Sequence, residues 1–364
     1  VNDLLTALLG TLLATNTPVA TSNLIQQQTG LSVSIPDTQD PEEQEFERLL
    51  ELDDQAQGEV DEWIQDNNAF VAQGGGLTRA ELNIKILQRF DIVRTNYLSF
   101  LAAHTNHARA HLAYASFLND IGKEDEAVEF MEKARGLDPA NPAAWNNLAN
   151  YHGHRGNVKT AFDYYAKAIE LDPNEPVYYQ NYGTTVFLFR KDAKEHFGIT
   201  EQEVFDKALT LYAGAIRLDP ANFPLATDIA QTYYGIKPLR TNEAFIAWNY
   251  AMSIARDQIE RDGVHIHLAR LSREIGNYDE ARRQLNIITN AMYGELKQRI
   301  ARSIEEEEAE AKGQSTANTP ETEEVNETMR TDLEVSGETA PLESEPDEKP
   351  LDQTKQDASG HHAH

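Results

Sequence analysis

GNVKTAFDYYAKAIELDPNE, Gly156 to Glu175, repeats the pattern of GKEDEAVEFMEKARGLDPAN, Gly122 to Asn141, at an offset of 34 residues. Gly156 falls on Gly122, Ala161 on Ala127, Ala168 on Ala134 and Pro173 on Pro139. A fixed period of this length marks a chain built from stacked supersecondary units. Ahead of the quoted stretch, Trp145, Leu148, Ala149 and Tyr151 follow helical spacing and predict a first helix that a glycine closes. The second helix carries Ala161 and Ala168 with Tyr165 between them, and Pro173 stops it. Small residues at those points let two helices approach closely. One such hairpin cannot bury its own apolar face, so neighbours must stack. Trp145 is expected to anchor this copy from a buried place between hairpins.

Three more copies follow. The third begins at Pro176 and ends in KALTLYAGAIRLDPAN, with about 13 extra residues in and around RKDAKEHFGITEQE. A fourth starts at Phe223, has the altered turn YYGIKPLRTNEA, and sets Ala244, Trp248 and Ala251 on its second helix; a fifth starts near Asp262 and reads IGNYDEARRQL. The insertion and the altered turn are expected to re-aim the array. WNNLANY, GNVKTAFDYY and LDP together resemble the tetratricopeptide repeat family, and the resemblance covers roughly residues 108–290. It implies an all-α fold, a right-handed alpha-alpha superhelix.

The flanks extend that picture. TRAELNIKILQRFDIVRTNYLSFLAAH opens with a capping-box pattern, Thr78 to Glu81, and keeps an apolar face through Ile86, Phe90, Val93, Tyr97 and Leu101. It sits where a preceding second helix belongs. Before it, Phe46, Leu49, Leu50, Val60, Trp63 and Ile64 share a face, and Gly74, Gly75 and Gly76 break the chain. Residues 36–107 are therefore expected to form an N-terminal helical cap with a divergent half-repeat. The solenoid is expected to span 108–304, ending in a long helix from about Asp279 through Met292, Leu296 and Ile300 into EEEEAEAK. Residues 305–364, rich in Glu, Thr, Ser and Pro, are expected to be an acidic disordered tail.

The net charge of −28 is carried by the flanks. Residues 37–66 hold 13 acids against Arg48 alone, and residues 305–364 hold 18 acids against four bases. The middle, 67–304, has 28 acids and 27 bases and no basic stripe for phosphates, so nucleic acid is not an expected partner. The absence of cysteine excludes disulfides, thiolate metal sites, iron–sulfur clusters and cysteine nucleophiles together. Residues 1–35 read as a truncated signal peptide and linker, with LLTALLGTLLA, Leu4 to Ala14, as its apolar run and cleavage near Ala14 or Ala20. That reading makes the protein exported or periplasmic. The alternative is an amphipathic helix of a cytoplasmic protein, since Leu4, Leu5, Leu8, Leu9, Leu12 and Leu13 form one stripe. N-terminal sequencing of the protein from its host separates the two. No later segment has the length and apolarity of a transmembrane span.

No phosphate loop, HExxH helix, GxSxG elbow or dinucleotide fingerprint occurs, so no enzyme, catalytic residue or cofactor is expected. Histidines are the remaining candidates for metal. His152 and His154 in YHGHRG are two apart, about 200° around a helix, and cannot grip one ion. In HTNHARAH, His107 and His111 share a face, but His104 lies in the turn before and no carboxylate is near in sequence. His265 and His267 in VHIHLAR read as packing and groove surface, and the terminal HHAH says nothing of catalysis. No metal site is predicted.

The family resemblance implies that first helices line a concave groove that binds a protein or peptide. Its facing positions are Arg109, Leu112 and Ser116; Asn146, Asn147, Asn150 and His154; Gln180, Asn181 and Thr184; Thr227, Asp228 and Gln231; then Ile266, His267 and Arg270. The candidate peptide-binding residues are those of the three middle copies, where amides dominate and offer both donors and acceptors. Leu112 and Gln180 stand where chaperone-binding members resembling this chain place cations, so their carboxylate clamp is not expected. Asn147, Asn181 and Asp228 share the sixth position of successive repeats and are expected to form a row. That row resembles the asparagine ladder of repeat-bearing sugar transferases, with an acidic third rung suited to a basic residue, and the insertion is expected to widen the groove beside it. The function expected is a non-enzymatic scaffold or adaptor. The alternative is a non-catalytic subunit of an envelope enzyme or transport complex that binds a folded protein through the solenoid surface.

Overall fold

The computed structural model describes residues 40–311, and both the leucine-rich stretch read as a signal and the tail beyond Ala311 lie outside them. Fourteen α-helices make up the described residues: α1 (Pro41–Val71), α2 (Arg79–Ala103), α3 (Ala108–Asp120), α4 (Glu124–Leu137), α5 (Pro142–His154), α6 (Val158–Leu171), α7 (Pro176–Leu188), α8 (Arg190–Phe197), α9 (Glu201–Leu218), α10 (Phe223–Thr232), α11 (Thr241–Ile254), α12 (Gln258–Glu274), α13 (Tyr278–Ile287) and α14 (Gly294–Ala311). They pair as antiparallel hairpins, α3 with α4, α5 with α6, α7 with α9, α10 with α11 and α12 with α13, and each hairpin stacks on the next as a helical solenoid. Prolines open α5, α7 and α10 in the first turn, where a missing N–H costs nothing. Gly122, Gly156 and Gly276 take φ of 74°, 82° and 74° between the helices of their hairpins, the left-handed turn that lets the chain reverse.

Burial follows the small residues. Ala127, Ala161, Ala208, Ala244 and Ala281 are all fully buried where second helices meet their neighbours. Trp145 departs from expectation. It is half-buried rather than buried: its Nε1 donates to the Pro139 carbonyl at 2.9 Å, its ring stands edge-on to Tyr164, and the Arg135 guanidinium covers it at 5.0 Å. The Pro139 carbonyl that accepts this N–H lies in the turn at the surface, and the bond holds the ring there. The buried tryptophan is Trp248, 1% exposed.

The front end is a complete hairpin rather than a half-repeat. α1, 31 residues long, lies against both α2 and α3, and α2 begins with the expected capping box, Thr78 and Glu81 each bonding the other's backbone. The insertion forms α8. Ala193 is buried there, His196 pairs with Asp163 at 3.2 Å and Lys159 with Glu195 at 3.1 Å, so α8 buttresses the second-helix layer at α6. The altered fourth turn is latched backward, Arg240 bonding Asp206 and Gln202 of α9.

The expected long C-terminal helix is broken. α13 stops at Ile287, a short 3-10 turn holds Ala291–Tyr293, and α14 starts at Gly294. The buried Asp262 carboxylate accepts from the Thr289 and Asn290 N–H groups at 3.0 and 2.8 Å, and this competes with helical bonding at the break. α14 then folds back, burying Ile300 and Ile304 against Ile266 and Leu285. Its helix runs to Ala311, so the segment expected to be tail from 305 begins as helix.

Candidate functional site

The amides of the first helices are already bonded to one another. Asn181 Nδ2 on α7 donates to Asn146 Oδ1 on α5 at 3.1 Å, and Asn146 Nδ2 donates to Asn147 Oδ1 at 3.2 Å. One repeat further on, Gln180 Nε2 donates to Asp228 Oδ2 on α10 at 3.5 Å. The row expected along the sixth position is therefore a diagonal: position five of one repeat meets position six of the next. Asn146, 5% exposed, is a link inside this diagonal rather than groove surface. Going back one repeat, the fifth-position residue is Leu112, which has no polar group to offer. Asn147 Nδ2 is left without a partner among the described residues, and so is Asn181 Oδ1 at the other side of the chain of bonds.

Other candidates divide. Asn150 accepts from the Tyr165 hydroxyl at 2.6 Å, and Thr184 meets the Tyr212 hydroxyl at 3.0 Å. Tyr212 reaches that far because Gly183 has no side chain: a Cβ there would come within 3.1 Å of the ring. Thr227 donates back to Pro224 of its own helix, and His154, largely exposed, faces Glu124 of α4 at 3.9 Å rather than the amides. Gln231 is half-buried on α10. At the two ends the expected groove positions are taken. Arg109 is bound to Glu43 and Glu47 of α1, and in the fifth copy Ile266 is a core residue while His267, part-buried, is stacked on Trp248. The sequence pattern could not show this, because α1 and the helical frame of α12 decide it.

Asp228 is the site's one carboxylate. It stands in no ion pair, and burial alone pushes its carboxyl up to about 6. Tyr212 beside it is raised as well, chiefly by burial, so its hydroxyl stays protonated.

The histidines have structural roles. His107 Nδ1 accepts from Ala110 N–H at 3.0 Å and caps α3, while His111 Nε2 bonds the Thr105 carbonyl at 3.0 Å. His104 lies between Glu42 and Glu45 of α1, carboxylates distant in sequence that the hairpin brings near. His152 packs edge-on against Tyr164, and His265 bonds Gln284 at 2.6 Å. No three of the described His, Asp or Glu side chains are arranged to hold a metal ion, and no described helix is long and apolar enough to cross a membrane.

Residues 142–175 and residues 108–151 each match a tetratricopeptide repeat model. No curated protein matches the sequence. Among solved structures, pilF of Pseudomonas aeruginosa is 17% identical over 71% of this chain and 99% of its own, with a TM-score of 0.45. MamA from Desulfovibrio magneticus is 14% identical over 50% of this chain and 92% of its own, with a TM-score of 0.41. YrrB, described as a TPR protein with an unusual peptide-binding site, is 15% identical over 52% and 89%, with a TM-score of 0.40.

Proposed function

The chain belongs to the tetratricopeptide repeat family, and from that premise we propose that this protein-interaction scaffold holds an extended segment of its partner on the first-helix face between α5 and α10. The observation that carries the reading is the pair of unmade bonds at Asn147 Nδ2 and Asn181 Oδ1. A peptide main chain presents C=O and N–H groups in alternation, and this pair offers one donor and one acceptor to match them. Capture through the main chain reads the partner's shape and leaves most of its side chains unread. We assign no chemistry to the site. Most of the titratable groups pushed furthest from their ordinary values are tyrosines and His267, packed in the core rather than gathered round a cleft.

The test uses a phage-displayed random dodecamer library selected on the purified chain, with the enriched peptides measured by fluorescence anisotropy. Asn147→Ala with Asn181→Ala is expected to weaken them by about 1–3 kcal/mol, the cost of hydrogen bonds left unmade at a desolvated contact. The double variant also loses about 1–2 kcal/mol of stability, because buried Asn146 Oδ1 is left without its donor. Binding is therefore read well below its melting midpoint. Peptides that bind both proteins equally overturn the reading.

One observation favours the alternative, attachment of a folded protein to the outer surface. Ile216, Ala226, Ile229, Ala247 and Tyr250 line an apolar cleft of about 280 Å³ between α9, α10 and α11, with Ile246 69% exposed at its rim. Loss of partner binding in Ile246→Lys, with the asparagine variant unaffected, favours the complex-subunit reading.

A further inference from the structure

Asp228, like Asp120, is pushed up by burial without a short bond to hold its charge, and of the two only Asp228 stands among the candidate amides of the first-helix face. Asp53 receives the Tyr97 hydroxyl at 2.7 Å and Asp262 receives two backbone N–H groups, so each charge is held by short bonds. Asp228 receives only the Gln180 amide, at 3.5 Å, the limit of a hydrogen bond. Its Oδ1 has no partner among the described residues. Other carboxylates of the array receive cations, Asp206 from Arg240, Asp125 from Arg155 and Glu274 from Lys237, and Asp228 receives none among the described residues. Fold stability gives no reason to keep an unpaired, desolvated charge, since an amide of the same shape relieves the cost. A charge retained at such cost on a binding face points to a partner that neutralises it.

The surroundings say which partner. Gln180 turns its Nε2 to Asp228, leaving Oε1 without a partner among the described residues, so the spot presents a carboxylate oxygen and an amide oxygen side by side. Both are acceptors. Of the neighbouring hydroxyls, Thr232 donates to the Asp228 main-chain carbonyl at 2.9 Å and Tyr212 is bonded to Thr184. A carboxylate oxygen beside an amide oxygen complements a group with several N–H bonds and a positive charge, the ammonium of lysine or the guanidinium of arginine.

We propose that Asp228, with Gln180 beside it, is the specificity pocket of the groove and binds a lysine or arginine side chain of the partner segment. The inference rests on the peptide-groove reading above and adds a sequence requirement to it.

The same dodecamer library, selected at pH 7.5, supplies the test. Enriched peptides are expected to share one fixed lysine or arginine. Replacing it with norleucine in the peptide, or Asp228 with asparagine in the protein, should each weaken binding about 10–100-fold. Making both changes should weaken it scarcely further than either alone, because they remove the same contact. Asp228→Asn keeps the side chain's shape, and its melting curve confirms that loss of binding is not loss of fold. Peptides that need Asn147 and Asn181 but carry no fixed basic residue, or losses that simply multiply when both changes are made, overturn this inference and leave the groove reading standing. Peptides indifferent to Asn147 and Asn181, or a library that yields none, overturn the groove reading and this one with it.

Discussion

Trp248→Ala is expected to cost about 3–5 kcal/mol, the usual range for deleting a fully buried aromatic side chain. Trp248 is 1% exposed on α11, flanked at helical spacing by buried Ala244 and Ala251, and its ring stacks flat on His267 of α12 with centroids 4.1 Å apart and planes 8° from parallel. Ala226, Ala230, Val264, Leu268 and Leu271 close the rest of the cluster. The side chain thus joins the fourth hairpin to the fifth, and a cavity there weakens a stacking interface as well as a hairpin. In a solenoid each repeat is stabilised by its neighbours, so the loss should be local: amide exchange should accelerate in α10 to α13 before α3 to α6. Trp145→Ala, by contrast, removes a half-buried ring and one surface hydrogen bond and should cost about 1–2 kcal/mol. Equal shifts in denaturation midpoint for the two variants would show that neither tryptophan has the burial described.

The contrast between the tryptophans shows what the sequence makes legible. Period 34, the alanines of the second helices and the glycines between helices are local rules repeated, and each copy confirms the last, so the hairpins are readable from about 108 onward. Which large residue sits deepest is not a local matter. Trp145 and Trp248 occupy different helices of their repeats, and only the turn carbonyl of Pro139 explains why the first stays near the surface. The break between α13 and α14 was hidden for the same reason, since it depends on Asp262, a residue 27 and 28 positions earlier. At the site, the polar composition was legible and the register was not. Helical side chains lean toward the N-terminus and successive hairpins are staggered, so residues at equal positions do not face each other. That stagger joins Asn146 to Asn181 and Gln180 to Asp228, and leaves Asn147 opposite a leucine position. Arg109 was misread because its partners, Glu43 and Glu47, lie on a helix outside the repeat pattern.

His267 should make the C-terminal hairpins acid-sensitive. Its ring is enclosed by Trp248 and by Tyr234, whose hydroxyl donates to the His267 carbonyl at 3.2 Å and lies 3.4 Å from Nδ1, and no carboxylate pairs with it. Burial first, and the Arg270 charge second, push the imidazole down to about 3. A folded value below the unfolded one, near 6.5, means that the stability contributed by the neutral ring is fully present above pH 6.5 and is lost as pH falls toward 3. At about 1.4 kcal/mol per pH unit, the loss is about 3–5 kcal/mol across the window. Asp228 acts with the opposite sign: its value is raised from 3.8 to about 6, so ionisation destabilises the fold as pH rises through 6, and acid relieves that cost. With partial solvent screening the relief is about 1–2 kcal/mol, smaller than the histidine loss. Glu81 and Glu203, held below the ordinary carboxylate range by the backbone N–H groups and hydroxyls of Thr78 and Thr200, also release stability in acid, so the wild-type curve alone does not isolate His267. Differences between variants do. His267→Phe keeps the stack on Trp248 and should flatten the stability curve between pH 6.5 and 4, while Asp228→Asn should be more stable than wild type at pH 7.5 and converge with it by pH 4. Urea midpoints at pH 7.5, 5.5 and 4 decide the matter. A His267→Phe curve parallel to wild type over that interval would mean that the imidazole is not neutral in the folded core.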